Sequence, residues 1–399
     1  MEKPHFDRRD FFGGAGLIGL AALTAPSVHA QSLTLPHDDA LDAAMDHFAD
    51  VIRQFHAQFP SLEAPDTQID RAEGYRLFLR YLTIGIDQFI QFADPAFPAF
   101  HQKTRDGVRK FAGDSPEQLY DVAVISGEYD YVVTGNMHET ALIECTVYSG
   151  QLKEGANRRR LIASITDEQL SLDKEGNFTL HLNRTGQGAN ALRLDKDASS
   201  LVVRRYLRDP WKDRPRPLDI RRTSGNPTLP TLASGQLATA IRAAADFAIW
   251  NVKTWARWTA KDRTAKRNRL THFDDTGDIY TPAGHRYLSG YWQVPSGKAL
   301  LVTFAPPANA YWSFVPMNFW MESLEWRFGN RVFASSYLTP PDKDGYVRLA
   351  LAESDPHLPG THWLETLGHG EGAMALRLAR YSGPMPEVRC ELITPGVTG

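Results

Sequence analysis

The chain has 399 residues, 42% of them hydrophobic and 23% charged, with a formal net charge of −3 at pH 7. That length allows two or three packed layers, or two domains, with ample core for unaided stability. The balance lacks the basic excess that nucleic-acid or anionic-membrane binding requires, so no nucleic acid and no lipid surface is an expected partner.

In chain order, Arg8-Arg9-Asp10-Phe11-Phe12 comes first, followed by a weakly apolar run from Gly13 to Ala25. The run is too short and too rich in glycine to span a bilayer, which takes about 20 apolar residues. After Pro26, the triplet Val28-His29-Ala30 offers small residues where a signal peptidase reads, and cleavage is expected after Ala30. The arginine pair and the mild hydrophobicity resemble a twin-arginine signal. Residues 1–30 are therefore expected to direct a folded protein to the periplasm or beyond, with the twin-arginine translocase as its partner during export and no stable membrane insertion. An uncleaved anchor is the alternative. The signal locates the protein without implying a metal. Cys145 and Cys390 are the two cysteines, both in apolar strand-like segments; buried free thiols are the simpler reading, with pairing left open.

From Asp38, Leu41, Met45, Phe48, Ile52, Phe55 and Phe59 fall on one helical stripe, and Ala72, Tyr75, Leu79, Leu82, Ile86 and Phe89 repeat the rhythm until Asp94-Pro95. This predicts a helical region over 31–115. The period then shortens. Tyr129 to Thr134, Ala141 to Tyr148, Arg160 to Ile165, Phe178 to Leu182, Leu201 to Leu207 and Leu218 to Arg222 read as strands separated by hairpin-like turns, an antiparallel region over 116–223. A linker and a third helix occupy 224–286, with Leu237, Ile241, Ala244, Ala248, Val252 and Trp255 on one stripe and the charged stretch Lys261 to Arg269 closing it. A second β region covers 287–395, with strands at Ala299 to Phe304, Tyr311 to Pro316, Tyr346 to Ala352, Met374 to Leu378 and Val388 to Ile393. The expected class is α+β, with two antiparallel β regions flanked by amphipathic helices.

The second β region carries an ordered set of short motifs: Pro306-Pro307, Tyr311-Trp312-Ser313, Asn318-Phe319-Trp320, Ser323-Leu324, Asp344-Gly345, Asp355-Pro356, Trp363-Leu364, Gly368-His369 and Gly372. As a set they resemble the bacterial family known as domain of unknown function 1214, over about a quarter of the chain. His362 stands where that family usually has an asparagine. The resemblance implies a jelly-roll-like β-sandwich and carries no activity with it.

Several residues are candidates for chemistry. The aromatic segment from Tyr311 to Trp326 offers faces on which a sugar or planar ligand stacks, although most of these rings suit a core equally well. Trp320 and Asn318 are its expected pocket residues, with Trp363 alongside. Glu322 and Glu325, three apart, would share a face on a helical turn and could work as acid and base, or be an ordinary exposed pair. His369 lies between glycines, open to a substrate and titrating near neutrality, or simply in a tight connection. Arg204 could clamp a carboxylate or form a strand-end ion pair. His357, His362, His369 and Asp355 match no metal motif, and no cofactor is expected. No phosphate loop, nucleophile elbow or His-Glu-x-x-His helix occurs. Two readings result. One is a cofactor-independent hydrolase or lyase acting on a carbohydrate or similar amphipathic substrate, with His369 and Glu322 as catalytic groups and Trp320, Asn318, Trp363 and Arg204 binding substrate. The other is a periplasmic protein that only captures a small molecule or glycan, or meets an envelope partner.

Overall fold

A computed structural model describes residues 38–104, 107–150, 159–225, 232–272, 284–308 and 310–396. The expected signal peptide and residues 226–231 of the linker lie outside the described residues. From Asp39 onward the chain forms one compact unit.

Three helices carry the stripes read from the sequence: α1 (Asp39–Gln58), α2 (Gln68–Ile86) and α3 (Ser234–Ala265). Thr67 caps α2, its hydroxyl oxygen accepting the Asp70 N–H at 3.1 Å. The charged stretch expected to close α3 is instead partly inside it. Asp262 is buried and pairs with Lys266 one turn on, at 3.1 Å, so charge here serves packing rather than termination. Although α3 follows the first β region, it packs with α1 and α2 in one cluster. Phe55 and Phe78 stack at 4.1 Å, joined by Tyr81 and Trp255, with Tyr291, Phe319 and Trp320 arriving from the second β region.

The first β region contains β1 (His101–Thr104), β2 (Gln118–Val124), β3 (Tyr131–Asn136), β4 (Leu142–Ser149), β5 (Arg160–Thr166), β6 (Asn177–Asn183), β7 (Ala191–Arg193), β8 (Ala198–Tyr206) and β9 (Asp219–Arg222). The second contains β10 (Arg269–His272), β11 (His285–Gln293), β12 (Ala299–Phe304), β13 (Tyr311–Pro316), β14 (Ala334–Ser335), β15 (Val347–Ala352), β16 (His362–Glu365), β17 (Glu371–Ala379) and β18 (Val388–Ile393). Among the described residues they form four sheets: sheet I, β1-β2-β8-β4-β5; sheet II, β7-β6-β3-β9; sheet III, β10-β11-β17-β13-β14; and sheet IV, β16-β15-β12-β18. Pairing is antiparallel except at the edges, where β6–β7 and β15–β16 run parallel. The chain is thus a mixed, β-rich α+β protein, as its periodicity predicts.

Alternation sends one face of each sheet inward. Cys145, Val147, Leu201 and Val203 of sheet I share a core with Val133, Leu180 and Leu182 of sheet II. Trp312, Phe314, Leu376 and Leu378 of sheet III share another with Val302, Leu349 and Leu351 of sheet IV. Each half therefore has its own core. The residues between those positions point the other way: Arg204 on β8 and Arg377 on β17 leave their sheets on the faces turned away from the two cores. Between the halves, the Tyr206 hydroxyl meets His285 Nε2 at 2.7 Å, and the Tyr311 hydroxyl donates to Glu117. Cys145 and Cys390 are both free thiols, in different halves, and burial raises the pKa of each.

Candidate functional site

The Gly-flanked His369 is nearly buried, not open. Its Nδ1 lies 3.0 Å from the Thr366 carbonyl oxygen, which can only accept, so that nitrogen carries a proton. Its Nε2 lies 2.9 Å from Glu73 Oε2 on α2. Burial alone would lower the His369 pKa, but the Glu73 hydrogen bond and charge outweigh it and raise it. Burial likewise pushes Glu73 up, and His369, followed by Arg76 and Asn318, brings it below its ordinary value. Asn318 donates its amide to the same Glu73 oxygen at 2.7 Å. Asp70, one helical turn before Glu73, receives the Thr67 hydroxyl on Oδ2 at 2.5 Å, whereas its buried Oδ1 has no hydrogen-bond partner. Burial raises the Asp70 pKa.

Glu322 and Glu325 do not share a helical face. The chain turns back at Phe319–Trp320 and is not helical beyond, because Asn318 Oδ1 accepts the backbone N–H of both Trp320 and Glu322 at 3.0 Å. Glu322 is completely buried and bonded to Arg80 of α2, with Arg76 at 3.6 Å. Burial raises its pKa against the opposing charges of Arg80, Lys110 and Arg76. Glu325 is partly exposed and fastened to Arg327; although burial pushes the other way, that bond brings its carboxyl to about 2. Trp320 is a core residue rather than a cleft wall. Its indole N–H donates to the Asp70 carbonyl at 2.7 Å, and its ring packs on Phe59 and Gly74. Asn318 is equally buried, a brace for the turn. Trp363 sits on an edge strand with its N–H given to the Ala352 carbonyl at 3.0 Å.

The remaining predicted residue, Arg204, opens on a cavity of about 170 Å3 between the outward faces of sheets I and III, roofed by Trp255 and Trp258 of α3. Most of its wall is apolar, with Phe111, Met317, Met321 and Met374. Three guanidinium groups share it: Arg159, Arg204 and Arg377. Arg204 Nη2 reaches the Tyr148 hydroxyl at 3.3 Å, and Arg159 lies 3.4 Å from the centre of the Tyr148 ring. Arg377 Nη2 donates to the Gly113 carbonyl at 2.6 Å. Even so, Arg159 Nε and Nη2, Arg204 Nη1 and Arg377 Nη1 are buried with no hydrogen-bond partner. The nearest carboxylate to Arg204 is Glu144 at 4.0 Å. Two acids also line the cavity, but Asp114 is occupied by the Ser323 N–H and hydroxyl, and Asp262 by Lys266. The surplus of positive charge registers on Tyr148. Burial acts to raise its pKa, yet Arg204 and then Arg159 lower it.

Of the six residues singled out from the sequence, the structure brings His369, Asn318, Trp320 and Glu322 together beside α2, puts Arg204 in the cavity, and leaves Trp363 apart from both. Sequence reasoning missed Asp70, Glu73, Arg159, Tyr148 and Arg377. A signal existed for three of these. Asp70 and Glu73 share a face of a strongly periodic helix, and Arg377 interrupts the apolar strand Met374-Ala375-Leu376-Arg377-Leu378.

No protein-family model matches the chain, and no curated protein matches it in sequence. Among solved structures, the chain is similar to an uncharacterized protein of Burkholderia cenocepacia, with 25% identity and a TM-score of 0.81 over 89% of this chain and 98% of that one. The VPA0106 protein of Vibrio parahaemolyticus aligns at 11% identity and a TM-score of 0.44, over 79% of this chain and 96% of its own. The first likeness spans helices and sheets together, in keeping with a β-rich α+β fold.

Proposed function

We propose that this protein captures a small anionic amphipathic molecule, a carboxylate on a ring-sized apolar body, in the cavity between sheets I and III. The observation that carries this reading is the set of buried guanidinium N–H groups left without partners around a mostly apolar space. A buried donor left unsatisfied costs about 1–3 kcal/mol, and more when it is charged. A carboxylate would answer several at once with charge-assisted bonds. The apolar remainder suits a ring, since an apolar cavity of roughly 150 Å3 is enough to hold benzene.

Capture without turnover is the better supported of the two readings made from sequence. His369 and Glu322, the expected acid and base, have their polar atoms engaged by Glu73, Thr366 and Arg80, and neither lines the cavity. A glycan has less support too, because Trp312, Phe314, Phe319, Trp320 and Trp326 are consumed in cores. The proposed setting is the periplasm or the medium, reached through the twin-arginine translocase on the strength of Arg8-Arg9 and the short apolar run after them. Strand orders that place chain-distant strands side by side support reading the halves as jelly-roll-like sandwiches, and the motifs between Pro306 and Gly372 support kinship with the domain of unknown function 1214.

The test is thermal unfolding and calorimetry with benzoate, phenylacetate and, as a neutral isostere, benzyl alcohol. The carboxylates should raise the midpoint by several degrees at saturating concentration and the alcohol should not. Arg377→Met should abolish the shift, with circular dichroism checking that the fold survives loss of the Arg377 bond to the Gly113 carbonyl. Equal stabilisation by the alcohol, or an undiminished shift in Arg377→Met, would remove the anion from the proposal.

A further inference from the structure

Away from the cavity, three side chains on α2 and on the loop before β17 form a second arrangement. Asp70, Glu73 and His369 each present one ligand atom, and these atoms all lie within 4.8 Å of one another. We infer that Asp70, Glu73 and His369 form a binding site for a divalent transition-metal cation of the zinc class.

Each ligand is already oriented by a partner behind it. The Thr366 carbonyl takes the His369 Nδ1 proton, leaving Nε2 as the atom that faces the carboxylates, the arrangement common to metal-bound histidines. Asn318 holds Glu73 Oε2, and the Thr67 hydroxyl holds Asp70 Oδ2. Asp70 itself is 3% exposed, and its Oδ1 is a buried carboxylate oxygen without a hydrogen-bond partner, a costly state that a cation relieves. Charge also balances. With the His369–Glu73 proton displaced to solvent, two carboxylates and a neutral imidazole carry −2 against the ion's +2. One imidazole nitrogen with two carboxylate oxygens suits zinc and its neighbours better than magnesium, which takes oxygen and water. Metal–ligand bonds of about 2.0–2.2 Å need the three atoms somewhat closer than they now stand, a shift within reach of side-chain rotation. Spacing in the chain hides the site, because Asp70 and Glu73 lie some three hundred residues before His369. The site does not depend on the proposed carboxylate ligand.

The experiment uses the full mature chain, freed of metal with chelator, and Zn2+, Co2+ and Mg2+ as probes. Calorimetry should find one Zn2+ per chain, Co2+ should give a visible absorption band of a nitrogen- and oxygen-ligated ion, and Mg2+ should bind at least 100-fold more weakly. His369→Gln and Asp70→Asn should each weaken Zn2+ at least 100-fold, while His357→Gln, which alters an exposed histidine, should leave it unchanged. Circular dichroism checks the fold of each variant. Should the two site variants fail to fold, the stoichiometry and Co2+ spectrum of the wild type and of His357→Gln still decide. No uptake by the wild type, or uptake lost in His357→Gln and kept in His369→Gln, would overturn the assignment.

Discussion

At the scale of single residues, the side chains that matter are those whose charge the fold has taken out of water. Glu322 is fully buried and depends on Arg80. Removing one member strands the other, at a cost of about 3–5 kcal/mol. Arg80→Met should therefore lower stability by that amount in urea unfolding, and the double variant Arg80→Met with Glu322→Leu should recover a substantial part; equal losses in both would show that the charge pair is not what the site depends on. Glu325 differs because it is partly exposed. Its carboxyl drops from an ordinary 4.5 to about 2 through its bond to Arg327, against the upward push of burial. A group depressed in the folded state stabilises above its unfolded value and loses that contribution as pH falls toward the folded one. Solvent screening keeps the effect to about 1 kcal/mol or less. Glu325→Gln should thus be slightly less stable than the parent at pH 6, with the gap closing between about pH 4.5 and pH 2, as urea midpoints would register.

Among the elements, α2 does the most positioning. Glu73, Arg76 and Arg80 stand on one side of it and meet Asn318, Glu322 and His369, while Gly74 lets the Trp320 ring lie against the backbone. A β-carbon at Gly74 would run into that ring. Gly74→Ala should lower stability by about 1–3 kcal/mol despite alanine's better helix propensity, a sign that overpacking outweighs the gain of roughly 1 kcal/mol. A calorimetric midpoint at or above that of the parent would contradict this. The stripes of α1, α2 and α3 were legible in the sequence because a long amphipathic period repeats often enough to be read. Most of the longer strands were legible too, several to within a residue, as with Ala299–Phe304 and Val388–Ile393, although β2 and β11 were not read. The short edge strands β1, β7, β10, β14 and β16 were not. Two to four residues hold no readable alternation, and what makes them strands is a neighbour that the local sequence does not specify.

For the whole molecule, the helices pack on the second β half, and that half meets the first through Tyr206 with His285 and Tyr311 with Glu117. Each half has its own inward core, but Tyr291, Phe319 and Trp320 of the second half are covered by α1, α2 and α3. The C-terminal half without α1 and α2 would expose Trp320 and leave Glu322 without Arg80. Tryptophan fluorescence and far-ultraviolet dichroism should therefore unfold together in one transition, and residues 284–396 alone should lack it. Two separated transitions would show that the halves are independent.

Hydrophobic period, composition and charge are local or additive properties, and from them the sequence by itself determined the β-rich α+β class and the order of helices and β regions. It also singled out His369 and Glu322 as catalytic candidates and Asn318 and Arg204 as substrate-binding ones. Only the tertiary structure decided what surrounds them. Whether His369 faces solvent or Glu73, whether Trp320 lines a cleft or fills a core, and whether Arg204 meets Arg377 across a cavity all depend on residues far apart in the chain. Such meetings arise from packing between elements, and packing leaves no period to read in the sequence of either partner.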